Sequence, residues 1–238
     1  MKNNREMIGA LIGTVLGDSS LQLARRGKNA YLTFSHGKNF EEYLDYKAGI
    51  FSQICGIKKS TDIRDGELHA YRTWSKCHPL FTKLHGWFYQ SGKKVVTDKV
   101  LYRLTPLGLA LWYMDDGYLA YIKKNGKIRG REIKIYTCCF TYDEHLKMVD
   151  YFKKEHGINW RIGKARLGGR VYYHLATGAQ EGAKFFKIID PYIHKSMRYK
   201  VDLRYSYSSN AGRPLGFGTV IQSDLSGNTE TTPEMRVA

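Results

Sequence analysis

The feature that most constrains this chain is a pair of short apolar runs, rich in small residues, each ending in a carboxylate. One is Leu11-Ile-Gly-Thr-Val-Leu-Gly-Asp18-Ser19. The other, Leu109-Ala-Leu-Trp-Tyr-Met-Asp-Asp116-Gly117, begins 98 positions later, with its terminal acid at the same place. A buried apolar helix rarely finishes in a carboxylate that has no partner, because burying an unpaired charge costs several kcal/mol. Gly9, Gly13 and Gly17 recur every four residues and so share one helix face. Each costs about 1 kcal/mol relative to alanine inside a helix, a loss that close approach of a second helix backbone offsets. The pattern predicts that the second helix is Pro106–Met114, with Thr105 as N-cap and Pro106 in its first turn. Packed side by side, the two helices would bring Asp18 and Asp116 together.

The stretches after each run also correspond. Strand-like segments at 20–25 and 30–36 precede a helical run over 39–54 with Asn39 as N-cap, which stops at Gly56. Strands at 58–64 and 68–74 then flank the hairpin signal Asp65-Gly66, and a helix follows over 78–90. In the second half the strands are expected at 118–123 and 132–137, the helix at 142–156 before Gly157, strands at 160–165 and 170–176 around Gly168-Gly169, and a helix at 178–190. Each half therefore reads α-β-β-α-β-β-α. A period near 100 residues fits duplicated domains and is too long for a solenoid. The expected organisation is a first domain over 1–91, a Lys-rich linker over 92–104, a second domain over 105–207 and a loosely docked or disordered tail over 208–238. The segment 195–207 is expected to be a basic, Tyr-rich final helix or cap.

Charge narrows the partners. The first 208 residues hold 36 basic against 19 acidic side chains, a net +17, which suits a polyanion. No apolar stretch approaches the ~18–20 residues of a membrane span, so a membrane partner drops out. Cys55, Cys77, Cys138 and Cys139 have no zinc-site spacing and read as reduced thiols of an intracellular protein. The four tryptophans, Trp74, Trp87, Trp112 and Trp160, read as core or interface aromatics.

Two carboxylates brought together at the negative ends of two helix dipoles repel one another, and a divalent cation relieves the repulsion. Mg²⁺ prefers carboxylate, carbonyl and water oxygens and often shares them with substrate phosphate. Unpaired helix-end carbonyls of Gly17 and Asp115 would complete such a site, and metal-bound water would supply the nucleophile.

The two runs resemble the paired signature of the LAGLIDADG homing endonucleases in their single-chain, two-motif form. The similarity covers roughly 7–205 and includes the repeated element order, Thr105-Pro106 before the second motif, and Phe140-Thr-Tyr-Asp-Glu144 opening the helix that follows. It implies an α+β fold of two pseudo-symmetric domains, with saddle-shaped antiparallel sheets lying along DNA and the motif helices as the domain interface. Asp18 and Asp116 correspond to the metal-binding catalytic acids, so Asp115 takes a non-catalytic place. Lys94 and Lys200, each after the last helix of its half, match the lysines that the family places near its catalytic centres, with Lys93 a near-equal candidate. Mg²⁺ is the implied ion, with Mn²⁺ substituting and Ca²⁺ supporting binding without cleavage. Two departures stand out. Ser19 replaces the closing glycine of the first motif, and Leu111 stands where a small residue is usual, predicting a wider helix crossing on that side.

Strand alternation nominates the DNA-reading side chains. In the first half they are Gln22, Arg25, Arg26, Lys28, Tyr31, Thr33, Lys59, Arg64 and Arg72. In the second they are Lys123, Lys127, Arg129, Arg131, Lys134, Arg161, Lys164, Arg166, Arg170, Tyr172 and His174. The expected activity is metal-dependent double-strand cleavage of a long asymmetric DNA site by a monomer, in whichever compartment holds the target: a bacterial or phage-infected cytoplasm, or an organelle. The alternatives are an RNA maturase that binds its host intron on the same scaffold, or a DNA-binding regulator on a degenerate one. An intact acid in both motifs argues against the regulator. The lack of a nucleophile at residue 1 and of a terminal His-Asn pair argues against an intein.

Overall fold

The same succession of elements is built twice. In the first half helix α1 (Asn4–Leu16) leads to strands β1 (Ser19–Leu23) and β2 (Ala30–Gly37), helix α2 (Glu41–Phe51), strands β3 (Ile57–Arg64) and β4 (Glu67–Ser75), and helix α3 (Pro79–Phe88). A small hairpin, β5 (Tyr89–Gln90) and β6 (Lys93–Lys94), and a short helix α4 (Asp98–Leu101) lead on to the second half. There α5 (Pro106–Asp116), β7 (Gly117–Lys124), β8 (Lys127–Ile135), α6 (Tyr142–His156), β9 (Arg161–Leu167), β10 (Arg170–Gly178) and α7 (Ala179–Ile189) repeat the order. A 3₁₀ segment, Lys195–Lys200, closes the fold. The computed structural model describes residues 4–125 and 127–202. The tail expected from 208, and the last residues of the segment expected to cap the second half, lie outside the described residues.

The two sheets are antiparallel and carry the same strand order, β1-β2-β4-β3 and β7-β8-β10-β9. Their hairpins follow from local chemistry. Asp65-Gly66 and Gly168-Gly169 both adopt positive φ, the type I′ conformation that matches strand twist. Helix α6 begins at a reciprocal capping box in which the Thr141 hydroxyl accepts from the Glu144 N–H and the Glu144 carboxylate accepts from the Thr141 N–H. The α2 start differs from expectation. A 3₁₀ turn, Lys38–Phe40, precedes it, so Asn39 caps nothing and the helix opens at Glu41.

The segment expected to be a linker is instead largely structured. The Ser91-Gly92 turn, both residues at positive φ, folds β5 onto β6, and Val96, Val100, Leu101 and Leu104 are buried. Glu144 Oε1 accepts the Val96 N–H at 2.6 Å, tying this stretch to the second half.

Helices α1 and α5 pack against each other at the centre, buried from Leu107 to Met114 in α5 and over nearly all of α1 from Met7. The close approach is Gly13 against Gly108, whose Cα lies 2.6 Å from where a Gly13 Cβ would stand. Gly9 meets Thr105 and Gly108 in the same way. The tight contact therefore falls at Gly108, three residues before Leu111, and Leu111 itself is fully buried.

In each sheet one face carries the helices. Phe34 and His36 touch Phe51 and Tyr43 of α2, Tyr173 touches Tyr142 and His145 of α6, and Ile133 lies under Gly182 of α7. The registers place every second residue on the opposite, open face. Trp112 and Trp160 are core residues as expected, and Trp87 is half-buried beneath Lys83, Lys99 and Arg103. Trp74 is not in the core. It stands on the open face of the first sheet and is 39% exposed.

Candidate functional site

The two acids sit where the central helices end, but they are held differently. Helix α5 continues through Asp116, and the Gly117 N–H closes its last turn on the Tyr113 carbonyl. Helix α1 ends at Leu16, which leaves Asp18 in the turn that leads to β1. The Asp18 N–H donates instead to Asp115 Oδ2 of the other helix, at 3.2 Å. Burial pushes the Asp116 carboxyl well above the ordinary carboxylate range, and the charges of Asp18 and Asp115 add to the shift. Asp18 is also raised, by desolvation and by Asp115, although 49% of its side chain remains open to solvent. Two carboxylates that resist ionising together mark a place where positive charge is wanted.

Each helix end is capped by a lysine. Lys94 Nζ donates to the carbonyls of Val15 (2.7 Å), Ser19 (3.1 Å) and Gly17 (3.5 Å). Lys200 Nζ donates to the carbonyls of Met114 (2.6 Å) and Asp115 (3.1 Å). The β5–β6 hairpin delivers Lys94 to this position and leaves Lys93 exposed. The 3₁₀ segment delivers Lys200 and is itself fixed by Tyr113 Oη, which donates to the Lys200 carbonyl at 3.0 Å. Burial lowers the pKa of both lysines, and the surrounding aspartates oppose it. The helix-end carbonyls of Gly17 and Asp115 were expected to be unpaired. Each instead accepts a lysine hydrogen bond, leaving one lone pair.

The Asp115 carboxylate is occupied. Lys47 Nζ donates to both its oxygens, at 3.0 and 2.9 Å, and Tyr43 Oη donates to Oδ1 at 2.8 Å. The side chains of Lys47 and Asp115 are both 0% exposed. Burial would raise Asp115, but Lys47, His36 and Tyr43 overcome it and hold the carboxyl below its ordinary range. His36 lies 3.8 Å from Asp115 and 3.9 Å from Asp18, with its pKa lowered to about 3 by burial and by Lys47. Asp18, His36 and Asp115 thus converge with a donor atom each. Lys47, 3.4 Å from His36 Nε2, already supplies that corner with a cation. That corner already carries its counter-charge, whereas Asp116, raised by burial and by the charges of Asp18 and Asp115, has no such cation bound to its carboxylate among the ion pairs of the described residues.

This cluster escaped the sequence reading, although a signal was present. Lys47 falls on the apolar stripe Tyr43, Leu44, Lys47, Ile50, Phe51 of α2, where a charge needs a buried partner.

The open face of the first sheet bears Gln22, Tyr31, Thr33 and Arg72. Tyr31 Oη donates to Gln22 Oε1 at 2.6 Å, and Arg72 and Arg64 share the Asp62 carboxylate. Arg25, Arg26 and Lys28 lie between β1 and β2, at the end of their hairpin. A groove of about 610 Å³ on this face adds Lys58 and Lys76, which the sequence reading passed over, and Trp74, which it took for a core or interface aromatic. Lys59 is a correction. Its register partner Thr73 faces the helices, and its ammonium is bound by Glu41 and Asp45 of α2 at 2.7 and 2.8 Å.

In the second sheet Lys134, Arg161, Arg170, Tyr172 and His174 fall on the open face, where Glu132 pairs with both Lys134 and Arg161. His174 is only 4% exposed, packed by Tyr136, and burial and Lys134 lower its pKa to about 4, so it is a poor candidate for a DNA contact. Lys164 and Arg166 pair with Tyr173 and Val171, on the helix-side face rather than the open one. Arg131 likewise shares a face with Ile133 and lies over the Tyr121 ring. Lys127 and Arg129 are exposed near the β7–β8 turn, and Lys123 lies in β7 opposite Ile128.

A duplicated αββαββα scaffold, with two acids converging at the ends of its central helices, defines a two-motif DNA endonuclease fold. The model of the LAGLIDADG DNA endonuclease family matches residues 8–185, and the chain belongs to that family. Among curated relatives it is 28% identical over 200 residues to protein RecA of Mycolicibacterium flavescens, covering 82% of this chain and 46% of that one. The chain thus spans about half the length of the RecA relatives it matches. It is 28% identical to cytochrome b mRNA maturase bI2 of Debaryomyces hansenii, covering 83% of this chain and 74% of the maturase. It is 27% identical to DNA endonuclease I-ChuI of Chlamydomonas applanata, covering 80% and 92%. The fold is shared with the homing endonuclease I-WcaI bound to its DNA recognition sequence (TM-score 0.70, 21% identity, 84% of this chain and 88% of that one). Among the described residues no helix is long and apolar enough to cross a membrane.

Proposed function

We propose that the chain is a site-specific homing endonuclease that makes a metal-dependent double-strand break in a long asymmetric DNA site. The observation that carries this reading is the convergence of Asp18 and Asp116, both raised by burial and then by neighbouring carboxylates, at two lysine-capped helix ends beside two basic sheet faces. The donor set is hard oxygen and suits Mg²⁺, with Mn²⁺ in substitution and Ca²⁺ supporting binding only. Asp18 and Asp116 would hold the ion, with the remaining lone pairs of the Gly17 and Asp115 carbonyls. When bound, the ion supplies an activated water and neutralises charge on the phosphate oxygens.

The protein's own residues position the DNA. With their donors turned to carbonyls, Lys94 and Lys200 act on the phosphate through their charge while holding the helix ends rigid. The open faces read base edges through Gln22, Arg72, Arg161 and Tyr172, and the hairpin cations around Arg25, Arg26, Lys28 and Lys127 hold phosphates. The two faces differ in composition, so the half-sites differ too. Two sheets side by side cover about two helical turns, on the order of twenty base pairs. One chain supplies both halves, so a monomer suffices, acting in the compartment that holds its target.

The relative in D. hansenii favours one alternative, a maturase that binds host intron RNA. Purified protein with Mg²⁺ and a randomised plasmid library separates the two readings. Double-strand breaks at one enriched asymmetric sequence are expected. An intact library, including the insertion locus, would reject the nuclease.

A further inference from the structure

The two catalytic acids are not equivalent in what holds them. Asp116 is fixed by its own helix. Asp18 lies beyond the end of α1, and its main-chain N–H is held from the opposite half by Asp115. Asp115 is in turn locked by Lys47 and Tyr43 of α2, so the Asp18 loop hangs on a fully buried ion pair between the halves. The pseudo-symmetric counterparts lack this device. The residue matching Asp115 in the first motif is Gly17, whose missing side chain leaves the space that Asp115 fills: a Cβ there would stand 2.6 Å from Asp115 Cβ. The matching Gly56 and Gly157 place the counterpart of Lys47 at Met148, and both are fully buried. A buried ion pair adds little net stability over apolar side chains of the same volume, so its retention in one half alone points away from a purely structural purpose.

We propose that the Lys47–Asp115 pair, with Tyr43, is a positioning unit that fixes Asp18 and makes the two strand cuts depend on different supports. Asp115 acts through Asp18 and does not touch substrate. Disturbing the unit unbalances the two cuts instead of slowing both alike. The strand claim rests on the nuclease reading above; the loop claim does not.

The test compares full-length wild type with Lys47→Met, Asp115→Ala, the double variant, and Tyr43→Phe. Each charge-removing single variant leaves one buried charge alone and is expected to lower the Tm. The double variant, which installs the Met148 chemistry and removes both charges, is expected to regain most of it. In that refolded double variant, hydrogen exchange at residues 17–19 rises by on the order of tenfold as the Asp18 N–H loses its acceptor. On a supercoiled plasmid carrying the target, it accumulates nicks on one strand, the same strand in every molecule. Tyr43→Phe, which keeps the ion pair, shows the same two effects more weakly and covers the case of a double variant that does not fold. Wild-type exchange at 17–19 in the double variant, or in Tyr43→Phe if the double variant does not fold, would overturn the proposal. So would equal slowing of both strands. If wild type itself cuts nothing, the nuclease reading fails alone, because exchange still decides whether Asp115 holds the loop.

Discussion

Replacing Gly13 by alanine tests whether the helix crossing sets the geometry of the acids. The new Cβ would stand 2.6 Å from Gly108 Cα and closer still to the Gly108 carbonyl. Ordinary carbon contacts need about 3.5–4.0 Å. The two backbones would have to part by about 1 Å, and both are main chain, so no side-chain rotation relieves the clash. Overpacking of this kind costs about 1–3 kcal/mol or more, against about 1 kcal/mol gained from helix propensity. A net loss of up to about 2 kcal/mol corresponds to a fall in Tm of up to roughly 8 °C for a chain of this size. The catalytic cost is expected to be larger, because a 1 Å misplacement of reacting groups costs on the order of 10²-fold. Gly49→Ala is the matched control. That residue lies in α2 with nothing within 4 Å of a new Cβ, so the same substitution should gain up to about 1 kcal/mol and leave cleavage intact. Thermal melts and single-turnover cleavage of both variants are the assay. Gly13→Ala matching Gly49→Ala in stability and rate would refute the close-crossing argument.

Three further outcomes are expected. Asp116→Asn should stabilise the metal-free protein at neutral pH by about 1 kcal/mol, or roughly 2–4 °C in Tm, while abolishing cleavage. The sign follows from the raised pKa: the native state holds this proton more tightly, so its contribution is full below pH 3.8 and falls as pH rises above it toward the raised folded-state pKa. Melts at pH 7 with and without Mg²⁺ check it, and Mg²⁺ should raise the wild-type Tm more than that of the variant. Lys94→Ala should cut the cleavage rate by on the order of 10²-fold with little change in affinity, whereas Lys93→Ala should not; gel-shift and single-turnover assays separate the two effects. Binding should weaken steeply with salt, with log K against log[salt] sloping about −7 to −9 if roughly 8–10 phosphates are neutralised. A slope shallower than about −4 in a titration would mean that the open faces do not carry the contacts.

The duplication, the pairing of the central helices and the convergence of Asp18 with Asp116 were legible because they rest on periodicity: glycines at spacing four, acids 98 residues apart, hairpins at Asp-Gly and Gly-Gly. Two kinds of feature were not. Which face a strand residue occupies depends on register, and a shift of one position moves it across the sheet. That is why Lys59 was assigned to the DNA face when Lys58 holds the place, and why Lys164 and Arg166 fall on the far side. The Lys47–Asp115 lock joins residues 68 apart, and only tertiary packing reveals such a partner. The stretch 92–104 read as a linker because its lysines and short length masked the helical spacing of Val96, Val100, Leu101 and Leu104, and the helix they mark, Asp98–Leu101, is only one turn long.

The most direct test of the two-acid centre measures binding and cleavage together on the selected target, for wild type, Asp18→Asn, Asp116→Asn and Asp115→Asn. Asparagine removes the charge with little change of shape, so coordination is tested more than packing. Both Asp18→Asn and Asp116→Asn are expected to bind DNA in Ca²⁺ with wild-type affinity and to make no double-strand break in Mg²⁺. Full cleavage by Asp116→Asn, with cleavage lost in Asp115→Asn, would contradict the account and move the second catalytic acid one residue back.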